Sequence, residues 1–238
     1  MTYRRRLLNL LGIRDPGHPW IVRAQRLRRK ILRTDERLRD NYLKSVAVPK
    51  LQIGGGWNRL DGWLNTDLAL RPGVMLMDAT ERFPFPDETF QFIYTEHMIE
   101  HVSYEQGVFM LQECYRVMLK GAVIRVTTPN LATITDLCNE NLTDMQQKYL
   151  SWICRTFVSH SSTSRRAFAI NVFFRLWGHQ FIYDEETLAD VLSTTGFSSV
   201  KRHRLRISDW PTLQNLERTD RYPEGLLDFE SLALEAVK

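Results

Sequence analysis

Short apolar runs alternate along this chain with amphipathic stretches of helical period. Runs at residues 51–53, 63–68, 74–77, 90–95, 123–128, 179–183 and 200–207 read as strands. Ser103 with Gln106 three residues later predicts a helix start, and Val108, Leu111, Cys114, Tyr115 and Met118 form its apolar stripe. Gly121 is expected to end it. Asp184 predicts a second helix start, with Gly196 beyond its end. Strands alternating with helices predict an α/β fold, a three-layer sandwich around a seven-stranded, mainly parallel sheet.

Two stretches depart from that alternation. Residues 131–177 read as an inserted run of helices, jointed at 139–141 and 160–166. Its Phe168, Ile170, Phe173, Phe174 and Trp177 suit extra core, a lid over a substrate, or a homodimer face. Residues 1–45 read as a basic helical arm preceding the main domain, 46–238. In it Leu7, Leu8, Leu10 and Leu11 follow an arginine cluster, and residues 15–19 are a break. A helix is then predicted over 20–42, with Ile21, Ala24, Leu27, Ile31 and Leu38 on one face and the arginines outward. The tail from Asp209 is less regular, with a short helix near 226–236.

Composition narrows the class. The chain has 238 residues, 43% of them hydrophobic, enough for a real core. No apolar run reaches the ~18 residues of a membrane span, and no secretory signal is expected. Three scattered cysteines, Cys114, Cys138 and Cys154, fit reduced thiols in a cytoplasmic protein and form no zinc motif, so no metal is expected. The net charge of +4 is unevenly placed: through Arg33 the chain holds ten basic residues against Asp15 alone. Such an arm suits peripheral contact with an anionic membrane. Nucleic acid is disfavoured, because few aromatics interleave the arginines.

The candidate chemistry centres on residues 50–68. An apolar run enters Gly54, Gly55 and Gly56, and a second run ends at Asp67. Glycines let a ligand approach the main chain, and a carboxylate at the end of the next strand binds ribose hydroxyls. A dinucleotide such as NAD and S-adenosylmethionine both fit this plan. The NAD fingerprint needs a third glycine where Arg59 stands and an acid roughly 20 residues on. Asp67 follows too soon, which favours S-adenosylmethionine. Asp78 closes the third predicted strand, and Glu96-His97-Met98-Ile99-Glu100-His101 follows the fourth.

The ordered set Leu51 to Gly56 (L-x-I-G-x-G), Gly62 to Asp67 (G-W-x-N-x-D), Pro84 to Phe90, and Glu96 to His101 (E-H-x-x-E-H) resembles the class I S-adenosylmethionine-dependent methyltransferases. The likeness covers about residues 51–207, apart from the inserted helices. It implies seven strands with one antiparallel strand at the sheet edge. It implies cofactor contacts from Ile53, Gly54, Gly55 and Gly56, ribose contacts from Asp67 beside Leu68, and adenine contacts from Asp78 and Ala79. Thr95 and Glu96 would lie near the methionine part. The family's L-K-P-G-G turn appears here as Leu119-Lys120-Gly121-Ala122, without its proline and second glycine.

Methyl transfer is an in-line displacement at a sulfonium, so alignment and exclusion of water do most of the work. An oxygen acceptor must also lose a proton, for which imidazole is suited. His97 is the first candidate base and His101 the second; His160 and His179 are lesser ones. The expected activity is O-methylation of a small molecule or glycan hydroxyl. The alternatives are a nicotinamide-dependent oxidoreductase and a cofactor-binding module without turnover.

Overall fold

The structure, a computed structural model, describes residues 19–159, 163–220 and 222–238. The leucine cluster at 7–11, the break up to residue 18 and His160 lie outside the described residues. Where a single helix was expected over 20–42, the arm forms two, α1 (Pro19–Ile31) and α2 (Thr34–Ser45). Arg33 separates them with a left-handed backbone, φ 49°. The expected apolar face of α1 is not buried, although Arg23, Arg26, Arg28 and Lys30 are exposed as expected. Arg26 reaches in to the Leu68 carbonyl and Arg29 to the Val74 carbonyl and Asp35, while Trp20, Leu27 and Ile31 are exposed.

The sheet begins with β1 (Lys50–Ile53), β2 (Leu64–Asp67), the two-residue β3 (Met75–Leu76) and β4 (Phe90–Glu96). A 3-10 turn, Ile99–His101, leads to α3 (Tyr104–Val117), whose start is the expected capping box of Ser103 and Gln106. The helix stops earlier than Gly121: β5 (Met118–Pro129) starts at once and carries an irregularity opposite Phe90 and Phe92. The insertion contains α4 (Leu131–Asp136), α5 (Asp144–Phe157) and α6 (Arg166–Arg175). Then come α7 (Glu185–Thr195), β6 (Ser198–His203), α8 (Leu226–Glu230) and β7 (Ser231–Val237).

Strand order is β3-β2-β1-β4-β5-β7-β6. The first five strands are parallel, and β7 is antiparallel to both β5 and β6. This is the expected three-layer α/β sandwich with three corrections. Residues 179–183 form no strand, because β7 already occupies the free edge of β5; their main chain instead bonds the Glu100 carbonyl through Gln180 and Phe181. The helix expected near 226–236 covers only Leu226–Glu230, and the rest of that stretch is a buried strand inside the sheet. The antiparallel strand is therefore one place in from the edge, and β6 is the edge.

The main core joins β1, β4 and β5 to α3 and α7 through Leu51, Ile93, Leu111, Ile124 and Leu188. A second core fills the insertion, with Tyr149, Ile153, Val172 and Phe173 packed on Leu226 of α8. Extra core is thus what most of the apolar insertion becomes, although Phe168 and Phe174 remain exposed. Arg125 of β5 is fully buried and ion-paired with Glu217 and Glu235, each at 2.6 Å. It also donates to the carbonyls of Arg204 and Ile207, tying the tail to the sheet. No helix among the described residues is long and apolar enough to cross a membrane.

Candidate active site

The carboxyl ends of β1, β2 and β4 open into a cavity of about 590 Å³. That volume is typical of a small-molecule site. One wall is main chain and short loops. Gly54 and Gly56 have left-handed backbones, φ 66° and 57°. A Cβ on Gly54 would overlap the Met98 side chain, so this position requires glycine for space as well as backbone. The Gly56 N–H donates to Asp67 Oδ2 at 2.7 Å, and the Ala69 N–H donates to Oδ1 at 2.6 Å. These bonds fix the carboxylate at the mouth of the glycine turn. Asp78 Oδ1 accepts from the Thr80 N–H and hydroxyl.

Of the residues expected to hold a cofactor, Ile53, Gly54, Gly55, Gly56, Asp67, Leu68, Asp78, Ala79 and Glu96 line this cavity. Thr95 is fully buried within β4 and stays behind the wall. Glu96 accepts from Asn58 Nδ2 at 3.1 Å and from the Arg218 N–H at 3.0 Å; burial raises its pKa. Arg71 lies over the Trp57 ring, 4.3 Å from its centroid, and its buried Nε makes no hydrogen bond but faces Asp67 Oδ2 at 4.0 Å.

The opposite wall comes from the insertion and the tail. Successive aromatic contacts run from Tyr222 to Trp152, Phe157, Trp177, His179 and His101. Two carboxylates stand at this end, Glu100 and Glu230, both buried. Glu230 accepts from the Tyr149 hydroxyl at 2.6 Å, and burial raises its pKa.

The four candidate histidines differ in placement. His97 has a left-handed backbone, φ 46°, an uncommon conformation for this residue type. Both ring nitrogens are engaged: Nε2 lies 2.9 Å from Ser231 Oγ, and Nδ1 lies 3.4 Å from Glu100 Oε1. Burial alone would lower its pKa, but the Glu100 carboxylate outweighs that and lifts it to about 9. Glu100 is correspondingly lowered to about 2, against the effect of its own burial. His101 and His179 stack edge to face, with centroids 5.0 Å apart. Burial pushes His179 down to about 4, and its Nδ1 has no partner. His160 lies outside the described residues.

Sequence reasoning did not single out Glu100, Trp152, Arg218, Tyr222 or Glu230. Glu100 was within reach, since it sits inside the E-H-x-x-E-H motif. The others stand far apart in the chain and carry no local signal.

A family model described as a methyltransferase domain matches residues 63–126, from the entry of β2 into β5. No curated protein matches the chain. Among solved structures, a SAM-dependent methyltransferase from Archaeoglobus fulgidus aligns with a TM-score of 0.51 at 18% identity, over 93% of this chain and 100% of the other. A possible histamine N-methyltransferase from Thermotoga maritima aligns at 0.45 and 16% identity, over 83% and 87% of the two chains. A Haemonchus contortus phosphoethanolamine N-methyltransferase solved with S-adenosylhomocysteine aligns at 0.43 and 14% identity, over 87% of this chain and 52% of the other. The Archaeoglobus likeness bears on the fold. The domain match covers β2, β3, β4 and most of β5, beside the glycine turn, so the chain carries a methyltransferase domain with the fold of a SAM-dependent methyltransferase.

Proposed function

We propose that the protein methylates a hydroxyl oxygen of a small polyhydroxylated molecule or glycan. The observation that carries this reading is the aromatic wall of Trp152, Trp177 and Tyr222 beside the buried carboxylates Glu100 and Glu230. Flat rings suit the C–H faces of a sugar, and carboxylates accept from its hydroxyls.

In this reading the main chain at Gly54 to Gly56 receives the methionine and ribose part of the cofactor. Asp67 takes the ribose hydroxyls: its two N–H bonds leave lone pairs unused, since an ionised carboxylate offers about four acceptor positions. Asp78, with Oδ1 committed to Thr80, would offer its other oxygen to the adenine amino group, with the Ala79 main chain as a further contact. S-adenosylmethionine, when bound, would supply the methyl group, and the Glu100, His101 and His179 cluster on the aromatic side would take the proton of the acceptor hydroxyl. His97, held between Ser231 and Glu100, fixes that carboxylate in place. The exposed Trp20, Leu27 and Ile31 of α1, with Arg23, Arg28 and Lys30 beside them, suit peripheral contact with an anionic lipid surface.

The test is transfer of radiolabel from the methyl donor into fractionated cell extract. Label in a small-molecule or glycan fraction is expected. Label confined to protein or nucleic acid would overturn the acceptor assignment, and no label in any fraction, with cofactor bound, would favour a binding module.

A further inference from the structure

We propose that Glu100, His101 and His179 form a binding site for a divalent transition-metal ion at the acceptor end of the cavity. One ligand atom from each lies within 4.8 Å of the others. Glu100 and His101 are consecutive on the 3-10 turn, and His179 comes from the segment that follows the insertion. Three hydrogen bonds clamp these two segments together. The Gln180 N–H donates to the Glu100 carbonyl at 2.7 Å, the Phe181 N–H donates to the same carbonyl at 3.3 Å, and Gln180 Nε2 donates to the His101 carbonyl at 2.7 Å. The spacing of the three side chains is therefore set by main chain rather than by chance surface contact.

Two buried atoms of this trio lack hydrogen-bond partners, Glu100 Oε1 and His179 Nδ1. Glu100 Oε1 is ion-paired with His97 Nδ1 at the 3.4 Å already noted, so His179 Nδ1 is the atom of the trio wholly without a partner. Fully buried polar atoms without partners are uncommon in native proteins and call for a ligand. Glu100 Oε2 accepts from the Thr128 hydroxyl at 3.1 Å, the outer hydrogen bond that typically orients a metal-binding carboxylate. Ligand bonds of about 2.0–2.2 Å around one ion require the three atoms to close by about 1 Å or more, a side-chain movement. Two imidazoles and one carboxylate favour a first-row transition ion over magnesium or calcium and leave coordination positions open.

Binding of the ion does not depend on the identity of the acceptor. Its role in transfer does rest on the reading above. With the ion bound, the three side chains would be its ligands and no longer the destination of the proton: an acceptor hydroxyl in an open position would be acidified and lose its proton to solvent. The O–CH3 bond would then form as the S–CH3 bond breaks, with the electron pair returning to sulfur.

The test uses the full chain, stripped with chelator and titrated with Co2+ alone, followed by its visible ligand-field bands. One Co2+ per chain is expected, displaced by Zn2+. His179→Ala and His101→Gln are each expected to weaken binding by more than about 100-fold, beyond the effect of groups one shell out. S-adenosylhomocysteine titration of the same samples reports the cofactor site separately. A wild-type chain that binds S-adenosylhomocysteine but takes up neither ion overturns the metal site and leaves the methyltransferase reading intact. Unchanged Co2+ affinity in a folded double variant overturns it as well. Co2+ uptake lost in both variants, without S-adenosylhomocysteine binding in wild type, supports the metal site and counts against the cofactor reading.

Discussion

The two walls of the cavity are built in opposite ways. The glycine-turn wall comes from one stretch of chain, β1 through the loop after β3, and its key bonds link residues about a dozen positions apart, such as Gly56 to Asp67. The aromatic wall collects Glu100, Trp152, Trp177, Tyr222 and Glu230 from across the sequence. It is held by distant ties: Arg125 to Glu217 and Glu235, Tyr149 to Glu230, and Gln180 to the 3-10 turn. A turn that folds locally suits a ligand common to many enzymes, whereas a wall assembled from insertion and tail can change with the acceptor while the cofactor end stays put.

That contrast can be broken first at its strongest tie. Arg125→Ala leaves Glu217 and Glu235 buried without their cation, and a loss of about 3–5 kcal/mol in unfolding stability is expected by chemical denaturation. A loss under about 1 kcal/mol would mean the tail docks without the ion pairs. Next, Asp67→Ala is expected to weaken S-adenosylhomocysteine binding by about 1–3 kcal/mol in calorimetry, with the fold unchanged. Glu230→Gln sharpens the contrast from the other side. It is expected to raise the acceptor KM up to about tenfold, roughly one charged hydrogen bond, and to leave S-adenosylhomocysteine affinity unaltered. An equal loss of cofactor affinity in that variant would show that the walls are not separable.

The smallest effect is expected from removing residues 1–31. Arg26 and Arg29 then give up their bonds to the Leu68 and Val74 carbonyls near the cofactor end. Exposed or half-buried contacts of this kind are worth about 1 kcal/mol or less, so cofactor affinity should fall less than about fivefold.

The same contrast decides how much was legible in the sequence. The glycine turn, Asp67, Asp78 and the capping box at Ser103 are local features, and all appear where their spacing predicts them. The tail strand was hidden because Ser231–Val237, S-L-A-L-E-A-V, carries residues that favour helix; its place between β5 and β6 overrides that preference. Residues 179–183 have strand composition, but β7 already takes the side of β5 that they would join. The inward turn of Arg26 and Arg29 was equally hidden, because periodicity marks a face as apolar without saying what covers it.

The most direct test is calorimetric titration of the full chain with S-adenosylhomocysteine, set beside Asp67→Ala. One site per chain, weakened in the variant while the Glu230→Gln protein binds normally, is the predicted result. A folded chain that gives no binding heat and no thermal stabilisation at saturating ligand would contradict the placement of an adenosyl cofactor on the glycine-turn wall.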